Sequence, residues 1–121
     1  MKKYTKLFID GVWVEPTSGG LRDLINPTTE EVFASVASGG GIEDVNKAVS
    51  AARAAFSSYS KFTLAERIDL INAIMAAYEE RQADFAEAIA LEVGIPFSMK
   101  AQVNGPLGHM KVARDLLKSY N

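Results

Sequence analysis

Cysteine is absent from the 121 residues, which excludes disulfides, thiolate metal sites and thiol catalysis in this chain and suits a reducing compartment. Histidine occurs once, at His109. Charge of one sign is also missing. Thirteen Lys and Arg stand against 15 Asp and Glu, a formal net charge of -2, so there is no field to recruit nucleic acid or an anionic membrane surface. No apolar run approaches the length of a membrane span, because charged residues recur throughout the second half. Met1-Lys-Lys-Tyr-Thr-Lys6 has the positive residues of a secretory leader, but the apolar run after it breaks at Asp10-Gly11. A cytoplasmic protein with no nucleic-acid and no membrane partner is expected.

What is present is 48% hydrophobic residues in a length suited to one domain or part of one, able to bury roughly two-thirds of its unfolded surface. Leu7-Phe8-Ile9 and Val12-Trp13-Val14 are β-prone runs around Asp10-Gly11, a dipeptide that accepts the positive φ of a type I′ turn, and predict a hairpin. Trp13 is expected to pack on its own sheet or the body below rather than to stack a ligand. Pro16 to Gly20 is a turn-rich connector. Leu21 to Ile25 and Val32 to Ala37 form a second extended pair about Asn26-Pro27, where Pro presets φ and Asn satisfies turn backbone groups. Residues 1–37 therefore read as four short strands in two hairpins.

Ser38-Gly39-Gly40-Gly41 precedes a helix, the setting of a phosphate-cradling loop. It lacks both the Walker spacing with Lys-Ser/Thr and the G-x-G-x-x-G pattern, so a flexible strand-to-helix link is expected. A helix follows from Ile42 to about Phe56. Ile42, Val45, Val49, Ala52 and Phe56 lie on the face expected to be buried, and Glu43 and Asp44 sit in the first turn, where the macrodipole favours acids. Thr63-Leu-Ala-Glu66 has the form of a capping box and starts another helix at Leu64. Leu64, Ile68, Ile71, Met75 and Tyr78 form its stripe; Leu70, Ile74 and Ala77 widen it, predicting packing on more than one side. Glu79 to Gln82 marks a solvated patch or a break. Phe85, Ile89 and Val93 carry the pattern to Gly94, a suitable C′ residue, with Pro96 beyond. The last segment starts near Pro96, is disturbed at Asn104-Gly105-Pro106, and resumes with Met110, Ala113, Leu117 and Tyr120 on one face. Residues 42–121 thus hold three to four helices.

A catalytic constellation requires a nucleophile beside a base, convergent carboxylates or a metal set. His109 has Lys111 and Arg114 nearby and no acid spaced to orient it, which favours a helix-surface role. Glu30-Glu31 and Glu79-Glu80 are adjacent pairs, whose side chains diverge on a strand or a helix, so solvation is expected. Glu66 is accounted for by its cap. Glu92 stands at a helix end, where an acid opposes the macrodipole. No catalytic, cofactor-binding or metal-ligating residue is assigned.

Five segments in order, Leu7 to Val14, Ile25 to Val32, Glu43 to Phe56, Glu66-Arg67 and Leu91 to Pro96, resemble the N-terminus of an aldehyde dehydrogenase across almost the whole chain. Two departures stand out. The family often has Ala-Thr-Gly-Glu after Asn-Pro, where this chain has Thr28-Thr29-Glu30-Glu31, and Gly-Lys-Pro where this chain has Gly94-Ile95-Pro96.

The resemblance implies an α/β parent fold, with residues 1–121 as an incomplete N-terminal part of its cofactor-binding domain: strands over 1–37, helices over 42–121. It implies oxidation of an aldehyde to an acid with NAD or NADP. In that family a Cys thiolate attacks the carbonyl, an Asn and a backbone N–H hold the oxyanion, and a Glu activates water against the thioester. All of these lie further along a family member than this chain extends. The expectations are a chain inactive by itself that binds no cofactor alone, and a homo-oligomer for the full-length form. The alternative is a non-catalytic interaction module associating with full-length subunits. Some family members hold a monovalent cation at positions matching the Leu24 backbone and Glu92, although an ordinary surface Glu accounts for the latter.

Overall fold

The computed structural model describes residues 1–119, in two compact units, Met1–Lys61 and Phe62–Asn121. The predicted Tyr120 contact lies outside the described residues.

The first unit runs β1 (Lys2–Tyr4), β2 (Leu7–Ile9), β3 (Val12–Val14), β4 (Leu21–Ile25), β5 (Val32–Ala37) and α1 (Ile42–Tyr59). The β2–β3 hairpin pairs Leu7 with Val14 and Phe8 with Trp13. Its turn places Asp10 at φ 53° and Gly11 at φ 77°, the two positive values expected of Asp-Gly. Trp13 lies against Phe8 on its own sheet, ring centroids 5.1 Å apart, although 66% of it stays exposed. β4 and β5 pair antiparallel as predicted.

A fifth strand, beyond the four expected, runs parallel to β5 and gives the order β1-β5-β4. Lys2, Lys3 and Tyr4 are all exposed and carry no apolar alternation, so this edge is defined by non-local pairing with Ala34, Ser35 and Val36.

Between β4 and β5 the Asn26 side chain accepts from the Thr28 amide at 2.8 Å, while the Glu30 amide donates to the Asn26 carbonyl at 2.8 Å. Glu30 is thereby held at φ 60°, at the position where the resembling family has glycine. Glu30→Gly is expected to stabilise this unit by about 1 kcal/mol, because the left-handed conformation then costs nothing sterically. Chemical denaturation of the two chains checks this.

The second unit runs α2 (Leu64–Glu80), α3 (Gln82–Val93) and α4 (Ala101–Ser119). Thr63 and Glu66 form the predicted reciprocal cap: the Glu66 amide donates to Thr63 Oγ1 at 3.2 Å, and the Thr63 amide donates to Glu66 Oε2 at 2.7 Å. The helix breaks at Arg81 and resumes, and Gly94 closes α3 at φ 73°. Met75 of α2 and Val103 and Leu107 of α4 are buried, and α2 and α4 pack together. The Tyr78 hydroxyl donates to the Val103 carbonyl at 2.7 Å, and its ring stacks on Phe85 at 4.6 Å.

Four expectations need correction here. The disturbance at Asn104-Gly105-Pro106 does not interrupt α4, which continues through Pro106. Proline disfavours helical backbone in the preceding residue partly through that residue's Cβ, and Gly105 has none. The inward stripe of α4 runs Val103, Leu107, Met110, Arg114 and Leu117, so Arg114 takes the place expected of Ala113, which is exposed. α2 packs on one side only, leaving Leu70 and Ile74 exposed. On α1 the stripe expected to be buried is open, with Ile42 77% and Phe56 66% exposed.

The area shows how much surface is left uncovered. The chain exposes 8920 Å². A folded monomer of 13.1 kDa is expected to expose about 6,400 Å², and two separate globules of half that mass about 7,700 Å² together. Against about 19,000 Å² for the unfolded chain, folding removes roughly half of the surface, not two-thirds.

Candidate functional site

The most constrained polar cluster lies where the connector after β3 meets the start of α1. Asp44, in the first turn of α1, is only 3% exposed. Its Oδ2 accepts from the Thr17 amide at 2.8 Å, the Thr17 hydroxyl at 2.7 Å and the Gly41 amide at 3.0 Å. These bonds, led by the Thr17 hydroxyl and amide, and the nearby Lys47 charge hold the Asp44 carboxyl below its ordinary range against the opposing effect of desolvation.

The glycine run also lies close against this cluster. A Cβ on Gly40 would stand 2.5 Å from Asp44 Oδ2, and one on Gly41 would stand 2.6 Å from Ser18 Oγ. Close approach requires glycine at position 40, where a Cβ would also stand 2.7 Å from Asp44 Cβ, whereas at position 41 the Ser18 hydroxyl could turn aside. The cluster also gives a physical reason against phosphate binding: the Gly41 amide at the helix start already serves Asp44, whose own negative charge occupies the position an anion would take. Asp44 Oδ1 and Ser35 Oγ are buried with no partner among the described residues. From the sequence Asp44 shows only as an acid placed to suit the helix dipole, because the spacing between Thr17 and Asp44 carries no local signal of their contact.

The other singled-out residues do not converge on chemistry. His109 is exposed on α4, as expected of a surface residue. Glu30, Glu31, Glu79 and Glu80 are all exposed, and Glu79 faces Lys111 at 3.8 Å. Glu92 is exposed in the last turn of α3, and Leu24 is half-buried on β4 in the other unit. No group of three His, Cys, Asp or Glu side chains among the described residues is placed to hold a metal ion. In the second unit an open groove of about 420 Å³ is lined by Glu79, Glu80, Phe97, Lys100 and Asn104 among others. Its lining holds Glu79, Glu80 and Lys100 among apolar and amide side chains, without a nucleophile beside a base. No helix among the described residues is long and apolar enough to cross a membrane.

The architecture has counterparts of known class. The aldehyde dehydrogenase family profile matches residues 13–120. A protein of Staphylococcus epidermidis, provisionally named an aldehyde dehydrogenase, is 41% identical over 122 residues, covering 99% of this chain and 26% of its own length. An aldehyde dehydrogenase of Bartonella henselae superposes with a TM-score of 0.95 at 30% identity over 100% of this chain and 26% of its own. Aldehyde dehydrogenase C of Pseudomonas syringae, solved as a cysteine-to-alanine variant with NAD+ and octanal, gives 0.89 at 43% identity over 97% and 24%.

Fold and sequence together define an N-terminal segment of an oxidoreductase with the α/β architecture of those neighbours. The chain belongs to the aldehyde dehydrogenase family, and it spans about a quarter of the length of the curated relatives it matches.

Proposed function

We propose that the chain is the leading part of the cofactor-binding domain of an NAD(P)-dependent aldehyde dehydrogenase, with strands over residues 1–37 and helices over 42–121. The observation that carries this reading is the match of almost the whole chain to a quarter of each neighbour. In the full-length form the reaction would be oxidation of an aldehyde to a carboxylic acid, in a cytoplasmic homo-oligomer. The part in hand is scaffold. It carries no cysteine for thioester formation, and its most ordered carboxylate, Asp44, is engaged by Thr17 and Gly41. The residues present do not compose a nucleotide site, since the one glycine-rich helix start is held by that carboxylate, so neither NAD nor NADP is expected to bind this chain alone.

A chimera tests the reading. Replacing the matched quarter of Pseudomonas syringae aldehyde dehydrogenase C, with its cysteine intact, by this chain should leave octanal-dependent NADH formation within about tenfold of the parent. A folded chimera that forms no NADH would contradict it. A second reading, association with full-length subunits as a non-catalytic module, is favoured by the open α2 face with Leu70 and Ile74. Co-sedimentation with the intact Pseudomonas enzyme, lost on Ile74→Glu, checks it.

A further inference from the structure

An asparagine followed by glycine is the pair in which a backbone amide most readily attacks the side-chain amide before it, because glycine has no Cβ to hinder the approach. Asn104-Gly105 is the one such pair in the sequence. Asn104 is exposed in α4, and a Cβ on Gly105 would meet nothing within 4 Å outside its own turn, so the pair has open space around it. Helical backbone protects such a pair, since it turns the Gly105 nitrogen away from Asn104 Cγ. Protection lasts only while the start of α4 stays wound.

That start is weakly secured by its own ladder. Pro106 has no N–H, so the Gln102 carbonyl lacks its helical partner, and glycine has the weakest helix preference after proline. The Val103 and Asn104 amides share one acceptor, the Lys100 carbonyl, at 3.1 and 2.9 Å. What holds the turn is tertiary: Val103 is buried, and its carbonyl accepts the Tyr78 hydroxyl at 2.7 Å. We propose that Asn104-Gly105 is a self-modification site, a deamidation clock gated by opening of this turn and restrained by Tyr78.

In the opened turn the Gly105 N–H gives its proton to hydroxide, and the nitrogen bonds to Asn104 Cγ. The Cγ–Nδ2 bond breaks, and ammonia departs with a proton from water, leaving a five-membered imide. Water opens the imide at one carbonyl to give aspartate, or at the other to give isoaspartate, in which the backbone runs through the former side chain. Nothing is oxidised or reduced. Either product puts a carboxylate in the groove that Asn104 shares with Glu79 and Glu80, where like charges repel. Isoaspartate also adds a carbon to the backbone of α4. Ageing of the site thus loosens the packing of α4 on α2 irreversibly. This inference concerns the helical unit and does not rest on the catalytic reading of the family.

Peptide mass mapping of the purified chain after incubation at mildly alkaline pH tests it, with the same chain in guanidinium as the unfolded reference. Asn104 is expected to exchange NH2 for OH ahead of Asn26, Asn46 and Asn72, more slowly than in the reference, and faster as pH rises. Tyr78→Phe, which keeps the ring that stacks on Phe85, should speed the conversion about fivefold, the factor one net hydrogen bond sets on local opening. Aged chain should melt about 5 °C below fresh chain by helical signal, a difference that Asn104→Gln removes. Asn104 left intact over the time the reference takes to convert would overturn the proposal. So would a folded rate equal to that of the reference, a rate unchanged by Tyr78→Phe, or converted chain that melts with the fresh.

Discussion

Asp44→Ala is expected to release the connector at Thr17 and the glycine run together and to lower the midpoint of thermal unfolding of the first unit by roughly 10 °C. One carboxylate oxygen serves three donors from two segments, Thr17 lying 27 residues from Asp44 in the chain, and alanine deprives all three of that acceptor. Asp44→Asn keeps the shape but removes the charge that strengthens each bond, so an intermediate loss is expected. Amide hydrogen exchange at Thr17 and Gly41 reads the tie directly. Both amides should lose protection in Asp44→Ala, while the Gly94 amide in the other unit keeps it.

The same tie has a pH dependence of definite sign. The Asp44 carboxyl is held below its usual value of 3.8 in the folded state, chiefly by the Thr17 hydroxyl and amide. A folded-state pKa depressed below the unfolded one gives stability that is present in full above the unfolded value. It is lost as pH falls from there through the folded pKa. Thr17 and Gly41 protection should thus be flat from neutral pH to about 4 and fall only below it. Loss between pH 5 and 7 would show that another group controls the cluster.

The second large effect belongs to the helical unit. Met75→Ala is expected to destabilise it by about 2–4 kcal/mol, since Met75 is one of only a few side chains there that are buried and truncation leaves a cavity between α2 and α4. Met75→Leu, close in volume, should cost less than about 1.5 kcal/mol. Denaturant unfolding followed by helical signal measures both, and equal losses would show that this packing does not depend on filled volume.

Local chemistry was legible in the sequence where one short segment supplies both partners. Asp10-Gly11 carries its own turn, Thr63 and Glu66 cap each other across three residues, and Gly94 adopts the left-handed conformation that closes α3. What escaped it depends on distant partners. β1 exists through pairing with β5, Asp44 through its bonds to Thr17, and the inward place of Arg114 through how α4 seats on α2. The open seam of α1 belongs with these. Periodicity shows that a helix has an apolar face, whereas burial depends on whether anything covers it. As for the site, the family resemblance carried the class, and the contact of Asp44 with the glycine run supplied the physical reason that no anion seat is free there.

The central proposal is that this segment, which has the family's leading architecture, works as scaffold without the catalytic apparatus. It is tested most directly by titrating NAD+ and an aldehyde such as octanal into purified chain of verified intact mass, following heat and NADH absorbance. The account predicts no binding heat and no NADH; saturable NAD+ binding or sustained octanal-dependent NADH formation by that preparation would contradict it.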